Sequence, residues 1–326
     1  MKNLKLSQAL LTVLLCAASF QGKALELVSP DVQGREHVAV RTVERIADLV
    51  RTRSRGMLDI KVWPNSVAGS ELDTLRGLQN GTIAMTRVSL AVLEPFSKTA
   101  TFASLPYLLR SESHMWKVLT GSFGLQLEKE LEANGLVGLS YMATSPRNFI
   151  CHKPIHDIAD FRGRSIGGLG TPVLRALITE LGATPVSLGD AELGEAFRSG
   201  KVDCTADETV NFLSVAKEVK GVYLIQDEHV RVPNMLVMSR KVWLGLTAEQ
   251  QALLRDTARE VTRQQSGEWS RREAESIAAA RRRGLNVIAR EDMASSAIEE
   301  AAVKIYPRFV TRPEDLDAVL KIVGTH

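Results

Sequence analysis

An α/β architecture is predicted, and three observations predict it. Short apolar runs of strand length alternate with stretches whose apolar residues recur at helical spacing, the pattern of a fold that layers helices on sheets. Residues 247–283 contain almost no helix breaker except Gly267, so one long helix or two end-to-end helices run there; a helix that long spans or supports two lobes. Behind a leader, about 300 residues remain, enough for two domains with cores of their own.

The leader is residues 1–24, read as a signal peptide. Lys2 and Lys5 form a positive start, residues 9–18 are a nearly unbroken apolar run, and Gly22-Lys23-Ala24 offers small residues for cleavage after Ala24. The run is shorter than the about 20 residues a membrane span needs. Cys16 would suggest a lipid anchor, but Leu15 stands where a small residue is wanted. The formal charge of +3 is carried entirely by Lys2, Lys5 and Lys23, so the mature chain is formally neutral. With no basic tail or aromatic-basic stripe, nucleic acid is excluded as a partner. The expectation is a secreted, soluble, periplasmic monomer.

Residues 25–29 read as the first strand and 30–36 as a polar loop. Residues 37–53 are an amphipathic helix, with Val40, Val43, Ile46, Ala47 and Val50 on one face. A strand at 58–62 closes on Trp63-Pro64-Asn65, and a helix at 70–80 ends at Gly81, which suits a left-handed cap. A strand follows at 82–88. Residues 141–151 form a long extended segment around Pro146. The strand 161–166 enters the loop Gly167-Gly168-Leu169-Gly170-Thr171, where Thr171 caps the helix 173–181 and Pro172 takes its first turn. Asp190 begins a helix that ends near Gly200, and 201–206 is a strand. Thr247 and Gln250 form a capping box for the long helix, which ends at Gly284. Cys151 and Cys204 survive in the mature chain, either paired or as two buried thiols.

Several blocks, in this order, resemble the solute-binding proteins of tripartite ATP-independent periplasmic (TRAP) transporters. They are Val62-Trp63-Pro64-Asn65-Ser66 with Gly69-Ser70-Glu71, Leu78-Gln79-Asn80-Gly81-Thr82-Ile83, Leu105-Pro106-Tyr107-Leu108-Leu109 and Asp160-Phe161-Arg162-Gly163. Leu181-Gly182-Ala183-Thr184-Pro185-Val186, Gly200-Lys201-Val202-Asp203 and Leu246-Thr247-Ala248-Glu249-Gln250-Gln251 continue the series. The resemblance covers essentially the mature chain. It implies a two-lobed periplasmic binding protein fold with crossing strands and a long C-terminal helix linking the lobes. Lobe I would hold residues 25–144 and 233–272, and lobe II residues 145–232 and 273–326. The implied function is capture of a small polar solute, an organic acid by preference, by hinge closure and its delivery to TRAP-type membrane permease subunits.

The resemblance also places a carboxylate-binding arginine at the end of the strand after Asp160. That position here is Gly167, and Arg164 points to the opposite face of the strand. Three features offer compensation. Arg147 stands where the family often has a second pocket arginine. Arg87 ends a strand facing the cleft in similar proteins; either guanidinium suits a bidentate carboxylate. The backbone of Gly167, Gly168 and Gly170 with Thr171 before a helix suits an anion, unless the glycines only ease a turn. Against an anion stand Asp190, Asp207 and Glu208, which suit hydroxyls or an ammonium; Asp190 reads equally as a helix cap. Arg35 and His37 are expected at the pocket rim, and Phe212 stacks on a ligand or packs in the core.

An enzyme is not indicated. His152 and His156 flank Pro154 on strand and loop, not on a metal-binding helix, Cys151 lacks an orienting partner, and no nucleophile elbow or phosphate loop is present. No cofactor is called for; Asp203, Asp207 and Glu208 would be the residues of a hard-cation site. The chief alternatives are a binding protein that reports to a membrane sensor, and a binder of a polyol or amine.

Overall fold

The computed structural model describes residues 24–216 and 218–325, without the side chains of Asp190, Ala191 and Val215. The signal peptide assigned to residues 1–24 lies outside them, apart from Ala24. Strand β1 (Leu25–Pro30) pairs in parallel with β2 (Leu58–Trp63), and helix α1 (Val38–Arg53) makes the crossover that parallel strands require. His37 caps α1, whose face Val38, Ala39, Val40, Val43, Ile46 and Val50 is buried. Ser70 and Asp73 form a capping box on α2 (Glu71–Asn80), and Gly81 ends it at φ +84°. The chain then enters β3 (Met85–Ser89), three residues later than the sequence pattern suggests. Helices α3 (Lys98–Phe102), α4 (Glu112–Thr120) and α5 (Ser122–Ala133) lead to β4 (Leu136–Met142).

The extended segment predicted at 141–151 is two strands. After β4 the chain passes through residues 143–146 into β5 (Arg147–Cys151), which belongs to a different sheet. The predicted strand at 161–166 begins instead as a 3-10 turn, Ile158–Phe161, capped by Asp157, and the strand β6 runs Ser165–Gly168. Helix α6 (Pro172–Glu180) and β7 (Thr184–Ser187) follow, then α7 (Asp190–Arg198), β8 (Cys204–Glu208), α8 (Thr209–Val215) and β9 (Tyr223–Val230). Residues 231–233 carry the chain back to β10 (Asn234–Ser239), between β3 and β4. Thr144 donates to the Val232 carbonyl at 2.9 Å, tying the two passages together.

Three sheets result: the β1–β2 pair, the order β3-β10-β4, and the order β11-β9-β5-β8-β6-β7. After α9 (Arg240–Leu244), the breaker-poor stretch is a single helix, α10 (Ala248–Arg282), opened by the Thr247/Gln250 capping box. It packs on α1 and β4 and further along on α8, so it spans the two lobes. The chain ends with β11 (Asn286–Ile288), α11 (Ser295–Val303) and α12 (Pro313–Val323). Residues 273–326, expected with the second lobe, include α12. Helix α12 returns to the first lobe and packs on α3 and α5, because its buried face of Ala318, Val319 and Ile322 finds its partner there. The His114 ring meets the Ile322 carbonyl at 3.0 Å.

Cys151 and Cys204 stand directly opposite one another on β5 and β8 and are joined by a disulfide, which settles the alternative the sequence left open. Both are fully buried. Closing a loop of 53 residues removes unfolded-state entropy equivalent to about 4 kcal/mol in the chain-entropy treatment. The Cys151→Ser/Cys204→Ser protein is therefore expected to lose up to that amount in urea unfolding; unchanged stability would mean the reduced chain keeps the loop closed.

Candidate functional site

Where the sheets of the two lobes face one another lies a cavity of about 560 Å³. Strand ends build it, as expected of open α/β sheets, whose crevices open at the carboxyl ends of their strands. The first lobe contributes Gln33 and His37 after β1, Ser66, Ser70 and Glu71 before and in α2, Arg87 and Ser89 from β3, and Asn234. The second contributes Arg147 from β5, Asp207 and Glu208 from β8, Asn211 and Phe212 from α8, and Glu192 and Leu193 from α7. Ser66 lines it at φ +56°, a left-handed conformation in the turn after Trp63-Pro64.

Arg87 is 4% exposed and its Nε/Nη2 edge forms a two-point pair with Asp31, at 3.0 and 2.5 Å. Its Nη1 donates to Glu71 at 2.8 Å, and Glu71 in turn accepts from the Ser89 amide at 3.2 Å. This ion pair network knots together the ends of β1 and β3 and the first turn of α2. One of the two edges with which a guanidinium can grip a carboxylate is thus occupied by Asp31.

Arg147 lies across the cleft. Its Nη1 meets Asp207 at 3.4 Å and the Ala206 carbonyl at 3.4 Å, and its Nη2 stands 3.9 Å from Glu208. Asp207 also accepts from Asn211 at 3.0 and 3.2 Å and from the Glu208 amide at 2.7 Å. The charged lining is therefore Arg87 and Arg147 against Glu71, Glu192, Asp207 and Glu208.

His37 is neutral near pH 7. Burial first, and the Arg87 charge second, hold its pKa down at about 4. Its Nδ1 accepts from the Ala39 amide at 3.3 Å, which leaves the proton on Nε2. On its other side the ring meets Trp269 of α10 edge-on at 5.4 Å.

The other residues expected at the site fall as follows. Gly167 is covered: a Cβ there would lie 2.8 Å from Leu193 Cδ1 and 3.2 Å from Leu188 Cδ1. Two leucines thus fill the space where the family resemblance places an arginine. At Gly168 a Cβ would meet Leu174, and at Gly170 the Ser187 hydroxyl. The loop sends Leu169 into the cavity lining, and Thr171 caps α6 by accepting from Leu174 N. Arg35 pairs with Glu44 on the surface, its side chain 63% exposed, and is not among the lining residues. Phe212 lines the cavity and packs edge-on against Phe197 at 5.3 Å. Asp190 opens α7 with Gly189 as the cap; its side chain lies outside the described residues.

Sequence reasoning missed Asp31, Glu71, Asn211 and Asn234. Glu71 sat in a quoted block, and a glutamate at the first position of a helix facing a strand-end arginine was the available signal.

The match to known proteins decides the family. Residues 31–312 fit the model of bacterial extracellular solute-binding proteins, family 7. The chain belongs to that family. A solute-binding protein of Roseobacter denitrificans is 27% identical over 64% of this chain and 64% of its own length. Two TRAP periplasmic solute-binding proteins with bound galacturonate, from Xanthobacter autotrophicus and a Bradyrhizobium, are 26% and 29% identical. Each has a TM-score of 0.86, over 92% of this chain and 100% of the other. No helix among the described residues is long and apolar enough to cross a membrane.

The unfolded chain takes up a proton at His37 near pH 6.5 and the folded chain only near 4, so acid favours unfolding across that window. His37→Asn keeps a helix-capping residue but cannot titrate. Its melting temperature is expected to fall less than the wild type's between pH 6.5 and 4; parallel curves would show that His37 titrates normally.

Proposed function

We propose that this protein is the periplasmic solute-binding component of a TRAP-type transporter, and that its solute is an organic acid bearing one carboxylate and several hydroxyls. The observation that carries the reading is Arg147, buried in the cleft wall and already facing the carboxylates of Asp207 and Glu208. A solute carboxylate can take the place of Asp207 on that guanidinium. The remaining wall is rich in acceptors, and Glu71, Glu192 and Glu208 suit the hydroxyl donors of a sugar acid. Two guanidiniums among four carboxylates disfavour a second negative charge, because bringing a dianion into a desolvated, already acidic site adds repulsion without a new cation. The relatives holding galacturonate fit this chemistry.

Capture would proceed by hinge closure. The moving bodies are residues 25–144 with 233–272, and 145–232 with 273–304; residues 313–325 ride with the first. A solute bridging Arg147 and the acceptors of α2 contacts both bodies, and only such differential contact shifts the equilibrium towards the closed state. The closed form, as a monomer, would then dock on the permease.

Melting temperatures with D-galacturonate, D-glucuronate, succinate, galactitol and an amino sugar discriminate the readings, since ligands of the folded state stabilise it. The uronates should stabilise most and succinate little. Arg147→Ala should weaken uronate binding by about 2 kcal/mol, roughly thirtyfold. Arg87→Ala should instead cost stability, by leaving Asp31 buried and unpaired. Stabilisation by galactitol or the amino sugar alone would transfer recognition to Asp207 and the glutamates and sink the acid reading.

A further inference from the structure

Where β5 meets β9 the ladder breaks. Arg147 pairs with Val230 and Phe149 with Ile225, so residues 226–229 of β9 stand opposite the single residue Asn148. A bulge of that size takes backbone amides out of the ladder, and buried amides cost free energy unless side chains accept from them. Two side chains do so. Asn148 Oδ1 accepts from the Glu228 amide at 2.9 Å, and Asp227 Oδ1 accepts from the Phe149 amide at 3.2 Å. Asn148 and Asp227 are each 1% exposed. Glu228 is held at φ +48°, a conformation a non-glycine residue keeps only where its surroundings fix it.

The same two side chains reach the other parts of the hinge. Asn148 Nδ2 donates to Thr209 Oγ1 at 2.9 Å, and the helix that Thr209 opens, α8, packs on α10. Thr209 directly follows Glu208 and opens α8, the helix that brings Asn211 and Phe212 to the cleft. Asp227 Oδ2 accepts from His229 Nδ1 at 3.0 Å and from the Tyr107 hydroxyl at 3.3 Å. Tyr107 comes from the first lobe, between α3 and α4, and its amide donates to the His229 carbonyl at 2.9 Å. One buried network therefore joins β5, β9 and the first-lobe residue Tyr107 beside two passages of the chain between lobes, and it begins one residue from Arg147.

We propose that Asn148 and Asp227 are positioning residues of the cleft: they hold the β5–β9 bulge in the shape that aims Arg147 at the solute, without touching the solute themselves. The inference rests on the reading of Arg147 as the carboxylate clamp. Arg147 is held to β9 only beyond the bulge, through Val230, so loosening the bulge frees that end of β5 and lets Arg147 move away from Asp207 and Glu208. Neither Asn148 nor Asp227 is among the residues lining the cavity, so a loss of affinity on changing them must act through another group.

The test is a double-mutant cycle on the full chain with D-galacturonate, read by calorimetry. Asn148→Ala should weaken binding by about tenfold or more in the wild type but by less than about twofold in an Arg147→Lys background, because the effect acts through that guanidinium. Equal losses in both backgrounds, or none in the wild type, would overturn the proposal. If Asn148→Ala does not fold, Asn148→Asp keeps the acceptor for Glu228, removes the donor to Thr209 and to the Pro146 carbonyl, and should show the same background dependence at smaller size. A crystal structure of the variant decides the matter without any solute. The contact of Arg147 with Asp207 should be lost, and its survival with β9 in the same register would overturn the proposal. Failure of the wild type to bind galacturonate would sink the solute reading and leave that structure as the deciding result.

Discussion

The cleft depends on the ladder between β5 and β8. Its register sets Arg147 against Glu208, Asn148 against Asp207 and Cys151 against Cys204. The disulfide closes one end and the ion pairs with Asp207 and Glu208 close the other, so the two strands cannot slide without breaking one of them. Sliding matters because a shift of one residue exchanges the faces of a strand. Every charged group of the second lobe named in the cleft, except Glu192, stands on these two strands. The six-stranded sheet is thus stapled at the place where a binding site needs its geometry fixed.

Electrostatics divides the two arginines. A buried guanidinium is costly to desolvate and is tolerated only with carboxylates and further hydrogen bonds around it. Arg87 meets that demand wholly within the first lobe, where Asp31 and Glu71 hold it and the strand ends together. Arg147 meets it with carboxylates that themselves line the cavity, so its pairing and the binding of a solute draw on the same donors. The neutral His37 adds a donor without adding charge. The resulting wall combines several hydroxyl acceptors with one guanidinium whose carboxylate partners line the cavity.

Much of this fold was legible in the sequence, and the limits have physical causes. Local rules carried far: Gly81, the Thr171 cap with Pro172, and the Thr247/Gln250 box all mark real helix ends, and the breaker-poor residues 248–282 form one helix. Where the outcome depended on a distant partner, local rules stopped. Residues 158–161 turn as a 3-10 helix because Asp157 accepts from two amides ahead of it. Helix α12 has an amphipathic pattern that demands a buried face but does not say which lobe supplies it. At the site, the pair of Arg87 with Asp31, 56 residues away, gave no sign in the sequence. The glycines at 167 and 168 read either as an anion loop or as a turn, and the leucines that cover them come from other elements.

The hinge is the least legible part, because it is made of tertiary hydrogen bonds between segments far apart in sequence. Its polar character has a consequence for closure. An apolar hinge would tolerate small rotations at little cost, whereas a buried network in which each amide has one acceptor favours discrete arrangements. On α10, the carboxyl of Glu273 is pushed up to about 7, chiefly by burial and then by the charge of Glu228, with the Thr209 hydroxyl opposing. Two arrangements separated by a modest free energy are what a solute with contacts on both lobes can choose between. Arg147 lies at the junction of that network with the cleft, so a solute held by its guanidinium would bear on the hinge directly.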